Sequence, residues 1–117
     1  MSMKSQILAL AAAMVSFAAL AQAPAGDVER GRSAYMKNMC HTCHGTAGQG
    51  GDRGSGPRIA YDVWPWEGFV QQVRRPREQM PRYAAQHLPD GDLADIYAYV
   101  SSMKRGPKAA DIPLLRE

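Results

Sequence analysis

From position 22 onward, apolar residues recur at helical spacing, and nowhere does an alternation of period two persist long enough for a strand. The pattern predicts an all-α chain of at least three helices. In the first, Asp27 serves as N-cap, Glu29 sits in the first turn, and Gly31, Ala34 and Tyr35 share a face running toward Cys40. The second opens at Pro65, carries Trp66, Phe69, Val70 and Val73 at i, i+3, i+4 and i+7, and ends at Pro76. The third is capped by Asp90, with Asp92 in its first turn. Its apolar stripe is Leu93, Ile96, Tyr97, Val100 and Met103. Lys104 and Arg105 would fill its last turn before Gly106-Pro107 stops it. Glycines at 45, 48, 50, 51, 54 and 56 mark an irregular loop between the first two helices. The tail from Lys108 to Glu117, with Ile112, Leu114 and Leu115, is expected along the surface.

The first 21 residues form a different pattern. Lys4 supplies a positive start, and Ile7 to Leu20 is an apolar run interrupted only by Ser16. Ala19-Leu20-Ala21 then fits small-x-small cleavage before Gln22, whereas a cut after Ala23 would place Pro24 next to the scissile bond. The expectation is a signal peptide over 1–21 and one domain over 22–117, exported to the periplasm. The rival is an uncleaved anchor, but the run is short against the roughly 20 apolar residues of a bilayer span. The whole chain carries 14 Lys and Arg against 11 Asp and Glu, net +3, and loses one positive charge with Lys4. Nothing in that balance suggests a nucleic-acid partner. A domain of this size builds only a thin core on its own.

Candidate chemistry concentrates at Cys40-His41-Thr42-Cys43-His44, a Cys-x-x-Cys-His run of the kind that attaches a c-type haem. Two thiols three positions apart can add across the two vinyl groups of one porphyrin. His44, next to the second thiol, then supplies the proximal imidazole. These are the only two cysteines, so none is left for a separate disulfide. Outside the cytoplasm such a pair reads as covalent haem or disulfide rather than as a cytosolic metal or redox site. The sixth iron ligand should come from later in the chain. Met80, beside Pro81, is the expected donor, since a soft thioether raises the reduction potential and proline stiffens its loop. His87 is the rival ligand. Met36 and Met39 lie too close to the attachment run to swing across a haem, and Met103 belongs to a helix stripe.

Taken together, Gly31, Tyr35, Cys40-His41-Thr42-Cys43-His44-Gly45, Gly56-Pro57-Arg58-Ile59, Met80-Pro81-Arg82-Tyr83 and the helix bearing Leu93, Ile96, Tyr97 and Val100 resemble a small bacterial class I cytochrome c. The resemblance spans nearly all of the segment after the leader. It implies one covalent haem c, His44 and Met80 as iron ligands, and crossing first and last helices with Gly31 against Tyr97. It also implies that the Pro57 carbonyl accepts the N–H of the proximal His44. Two departures stand out. Tyr35 lies five positions before Cys40 where four is usual, so a bulge or rotation is expected at the first helix end. The stretch from His44 to Met80 is also shorter than in mitochondrial members. Arg58 is a candidate propionate partner, because a guanidinium binds a carboxylate bidentately. Trp64 and Trp66 could reach a propionate or pack the core.

The function implied is single-electron transfer with a redox protein partner, as a free shuttle or as the cytochrome subunit of a dehydrogenase. The domain is then a monomer or part of a hetero-complex, and not itself an enzyme. Arg74, Arg75, Arg77 and Arg82 bracket Met80 and read either as a docking rim for an acidic partner or as a helix terminus with solvated charges. Other classes are a five-coordinate haem enzyme or gas sensor, a thiol–disulfide oxidoreductase using Cys40 and Cys43, and a zinc site. The second would need a βαβ setting that the pattern lacks. The third would need His87 as a distant fourth ligand.

Overall fold

Asp27 starts the first helix in the way its chemistry suggests. In a computed structural model describing residues 22–116, its backbone is extended (φ −103°, ψ 125°), and its carboxylate accepts the Arg30 N–H at 2.8 Å. The leader expected over 1–21 lies outside the described residues. Helix α1 spans Val28–Lys37, α2 spans Cys40–His44, α3 spans Trp66–Arg74 and α4 spans Asp90–Ser102. Short 3-10 turns occur at Asp52–Gly54, Ala109–Asp111 and Pro113–Leu115, and no strand is found among the described residues. The chain is all-α. The tail stays on the surface, with Leu114 and Leu115 exposed.

The packing of α1 against α4 organises the domain. A Cβ built at Gly31 would collide with the Asp95 carbonyl and stand 2.9 Å from the Tyr99 Cβ, so only glycine allows this approach. Here the expected partner, Tyr97, gives way to Asp95 and Tyr99. At about 100° per residue, positions 95 and 99 share a face of α4, and 97 points roughly 160° away from both. Tyr97 instead packs edge-on against Trp66 at 5.3 Å and Phe69 at 5.1 Å, and its hydroxyl donates to the Trp64 carbonyl at 3.0 Å. It joins α4 to α3. Tyr99 meets the Tyr35 ring edge-on at 5.4 Å.

Asp95 is buried although charged. Its carboxylate accepts the Asp27 N–H at 2.6 Å and both Nε (2.8 Å) and Nη2 (3.2 Å) of Arg30. The Arg30 bonds, then the Asp27 N–H, hold this carboxyl below the usual carboxylate range. The same fork ties the start of α1 to the middle of α4.

Helix ends differ from expectation in two places. Asp90 is the first residue of α4 rather than its cap. Pro89 holds the cap position, and the Asp90 carboxylate reaches Arg74 at the end of α3. An acid in the first turn still suits the helix dipole. At the other end, α4 stops at Ser102, before Lys104 and Arg105. The Ser102 hydroxyl donates to the Tyr99 carbonyl at 2.7 Å, the acceptor that a continuing helix would offer to the Met103 N–H. That N–H turns to Val100 at 3.2 Å, and the chain leaves the helix. Helix α3 ends as expected: Arg75 precedes Pro76 and is pushed out of helical geometry (φ −137°, ψ 69°).

Among the described residues, the buried core is Tyr35, Ala60, Val73, Leu88, Leu93, Ala94, Ile96 and Val100. A second set, including Cys40, Ile59, Val63, Phe69, Val70, Met80 and Met103, packs against this core and is only partly buried. The inner core is thin, as the length implies. The half-covered ring of apolar groups around it is the feature that bears on function.

Candidate functional site

The extra residue between Tyr35 and Cys40 is absorbed at Met39. After α1 ends, Asn38 N–H donates to Ala34 (2.9 Å) and Met39 N–H to Met36 (3.1 Å), and Met39 itself turns left-handed (φ 61°, ψ 20°). This break restarts the chain as α2, and the Met39 carbonyl accepts from the Thr42 hydroxyl at 2.7 Å. Tyr35 keeps its place, with its hydroxyl donating to the Gly45 carbonyl at 2.7 Å just past the motif. Burial raises its pKa.

The glycine loop closes back on α2. Cβ atoms built at Gly51 and Gly56 would both strike the Cys43 carbonyl, so the loop can lie on that peptide only with glycine at these positions. Gly50 N–H donates to the His44 carbonyl at 2.9 Å, and Gly51 N–H to Gly56 at 3.1 Å. The loop thereby brings the Pro57 carbonyl to 2.8 Å from Nδ1 of His44. A carbonyl only accepts, so Nδ1 must carry the proton. In the neutral imidazole this leaves the lone pair on Nε2, the form in which the ring binds a metal.

Neither cysteine is in a disulfide. Burial pushes the Cys40 thiol up to about 11. Reactive thiols in disulfide exchange sit well below their ordinary value of about 8.5, so Cys40 is poorly set up as a nucleophile of that kind. No group of three or more His, Cys, Asp and Glu is placed to hold a metal ion among the described residues, which removes support for a zinc site.

Met80 lies in the loop after α3, part-buried at the edge of the core. Gln72 of α3 points its amide nitrogen at the thioether sulfur, 3.7 Å away. Tyr83 holds the loop from both sides. Its N–H donates to Val73 at 3.1 Å, and its hydroxyl donates to the Asn38 carbonyl at 2.9 Å. Burial raises the Tyr83 pKa. Through Tyr83 and Asn38, the Met80 loop is linked to the backbone that enters α2. The sequence pattern assigns Tyr83 no role and does not point to Gln72 or Asn38. A glutamine on a helix and an asparagine at its end carry no local signal of such contacts. His87 is exposed in the turn before Leu88.

The remaining candidates are distributed as follows. Arg58 is exposed, its Nη2 paired with Asp62 at 3.2 Å and its guanidinium 5.7 Å from the Tyr61 ring centre. Arg105 makes a parallel pair with Asp62 (3.4 Å) and with Tyr61 (5.0 Å). Trp66 packs under Tyr97, whereas Trp64 is 49% exposed with the Arg77 guanidinium 5.6 Å from its ring. Arg74 leaves the basic cluster: it donates to the Tyr83 carbonyl at 3.0 Å and pairs with Asp90.

A family model described as cytochrome c oxidase, cbb3-type, subunit III matches residues 26–100, from just before α1 to Val100 in α4. The chain belongs to this family. It is a small c-type cytochrome with a small all-α cytochrome c fold, and haem-based electron transfer and covalently bound haem c follow from that membership. Comparison with curated proteins and with solved structures returned no match. The matched stretch of this cytochrome contains the Cys-x-x-Cys-His run, Pro57 and Met80. No described helix is long and apolar enough to cross a membrane.

Proposed function

We propose that this cytochrome is an exported, monohaem single-electron carrier of the periplasm, released from a leader over 1–21. Cys40 and Cys43 would hold the porphyrin, His44 Nε2 and Met80 Sδ would bind its iron, and Pro57 and Arg58 would support the site. Bound haem supplies a one-electron ferric–ferrous couple. The observation that carries this reading is the 2.8 Å contact between His44 Nδ1 and the Pro57 carbonyl. That bond fixes the tautomer and aims the ring. The partly buried apolar side chains Cys40, Ile59, Val63, Phe69, Val70, Met80 and Met103 offer surface for a flat apolar group to cover. Covering it would enlarge a core that is thin without it.

Each chain residue has a defined task in this scheme. Met80 gives a neutral, soft donor, which favours the ferrous state and a higher potential than a second histidine would. Tyr83 keeps that donor in place by tying its loop to Asn38. Arg58 directs one amino group to Asp62 and leaves the rest of its guanidinium for a propionate. The electron is exchanged with a redox protein, either as a free shuttle or within a complex, and the family description, subunit III of an oxidase, supports the second arrangement. The test is the absorption spectrum of the exported protein, oxidised and reduced, followed by acid–organic extraction. Colour that stays with the protein and a mass increase of one haem are expected. Colour that partitions into the solvent would overturn the attachment through Cys40 and Cys43.

A further inference from the structure

The segment after α4 holds its own shape and stands off the domain. It lies beyond residues 26–100, the stretch matched by the family. Its root is fastened by Arg105, whose guanidinium reaches Asp62 at 3.4 Å and lies 5.0 Å from the Tyr61 ring centre. From there Ala109–Asp111 and Pro113–Leu115 form two successive 3-10 turns. Asp111 N–H donates to Lys108 at 2.8 Å, Leu115 N–H to Ile112 at 3.0 Å, and Arg116 Nε back to the Ala110 carbonyl at 2.8 Å. Among the described residues, no hydrogen bond or ion pair joins 106–116 to the helices. A 3-10 turn spreads its side chains about 120° apart, so a turn resting on the core would bury at least one of them. Leu114 is instead 88% exposed and Leu115 62%, with Pro113 exposed beside them. Charge is the other feature. From Lys104 onward the chain has four basic residues, Lys104, Arg105, Lys108 and Arg116, against Asp111 and Glu117. Lys104, Lys108 and Arg116 are exposed, and no ion pair engages them among the described residues.

We propose that this segment is a peripheral membrane contact, in which Leu114 and Leu115 enter the interface of a lipid bilayer while Lys104, Lys108 and Arg116 meet anionic headgroups. Charge complementarity and apolar exposure together select the occupant. The aliphatic stems of Lys and Arg can lie along the apolar layer while their charges stay at headgroup level, beside the inserted leucines. An apolar pocket on a protein would take the leucines but leave the three cations without partners. No described helix is long and apolar enough to cross a membrane, so this contact lies on the surface rather than spanning it. It would let the carrier reach its redox partner by movement along a plane. The inference rests on the exported reading only because export brings the chain to that surface, and it does not depend on which residue binds the iron.

The test is co-sedimentation of the haem-loaded protein with vesicles of phosphatidylcholine, either alone or with about 30% phosphatidylglycerol as the anionic lipid. At about 0.1 M salt, where screening reaches about 10 Å, the protein should bind the anionic vesicles and bind neutral ones about tenfold more weakly. Leu114→Ser with Leu115→Ser should weaken binding about tenfold. Lys104→Gln with Lys108→Gln should weaken it about fivefold for each charge removed. Both variants should keep the parent absorption spectrum, since neither touches the haem motif. Failure to bind anionic vesicles would overturn the proposal and return the leucines to a protein contact. Parent-level binding by either variant would also overturn it. So would binding that is lost on Arg75→Gln, Arg77→Gln and kept by the tail variants, because the lipid would then meet another face. A mass that places the start of the chain before Gln22 would overturn the leader boundary instead. The tail proposal stands in that preparation if the tail substitutions still weaken binding to anionic vesicles, and falls if they do not.

Discussion

The carbonyl oxygen of Asp95 occupies the place where any residue other than glycine at position 31 would put its Cβ. This backbone contact sets how closely α1 and α4 approach. Helix propensity favours alanine over glycine by about 1 kcal/mol in a helix interior, so Gly31→Ala would stabilise α1 if the contact did not matter. We expect the reverse, a loss of about 1–3 kcal/mol from overpacking, because a carbonyl cannot rotate aside as a side chain can. The denaturation midpoint of the haem-loaded protein checks this. A midpoint equal to or above the parent's would remove the contact as a determinant.

The carboxylate of Asp95 contributes a pH-dependent part of the stability in the acid range. Its pKa is lowered in the folded state, chiefly by its bonds to Arg30. Its contribution is therefore complete above the unfolded value of about 3.9, and it is lost as pH falls through the lower folded value. Asp95→Asn should lower stability at neutral pH and flatten its decline below about pH 4. Parallel acid-unfolding curves for parent and variant would show that Asp95 plays no part in that decline.

Met80→Ala should abolish the weak near-infrared charge-transfer band of a ferric haem bound by methionine. Covalent haem should be retained. His87→Ala should leave the band unchanged. If the alanine at 80 kept the band and the alanine at 87 altered the spectrum, the distal ligand would be histidine.

Tyr83→Phe removes one hydrogen bond, from the hydroxyl to Asn38, while keeping the ring that packs on the core. A net cost of about 0.5–1.5 kcal/mol is expected, and somewhat more if the Asn38 carbonyl is left dry. The effect should fall on the Met80 loop first. Followed by absorption, the methionine band should bleach at a lower temperature than the change in helix signal. Coincident shifts of the two would make Tyr83 a general core residue rather than a fastening for the loop.

The local elements were legible where one residue type forces one outcome. Asp27 caps α1, Pro65 precedes α3, and Pro76 ends it through its effect on Arg75. Expectation failed where two local solutions compete. Asp90 could cap α4 or enter its first turn, and Arg74 on another helix decided the matter. Lys104 and Arg105 could have extended α4, but the Met103 N–H turns to Val100 rather than Tyr99, Met103 is extended, and the helix closes at Ser102. Tyr97 could be placed on a stripe by periodicity, yet whether that stripe met α1 or α3 depended on how the helices cross.

The sequence by itself determined the all-α class, the Cys-x-x-Cys-His run at 40–44, the glycine loop and the pairing of His44 with Pro57. These are short-range consequences of residue type, or of the motif order that carries the family resemblance. The tertiary structure decided the rest. It buried Asp95 against Arg30 across 65 positions, set Gly31 on Asp95, and tied Tyr83 to Asn38 across 45. It also withdrew Arg74 from the surface and left Arg75 and Arg77 around Trp64. None of these contacts leaves a local trace, because each depends on which faces meet once the helices pack. A charged residue on a helix reads the same from sequence whether it meets water or an arginine from the other end of the chain.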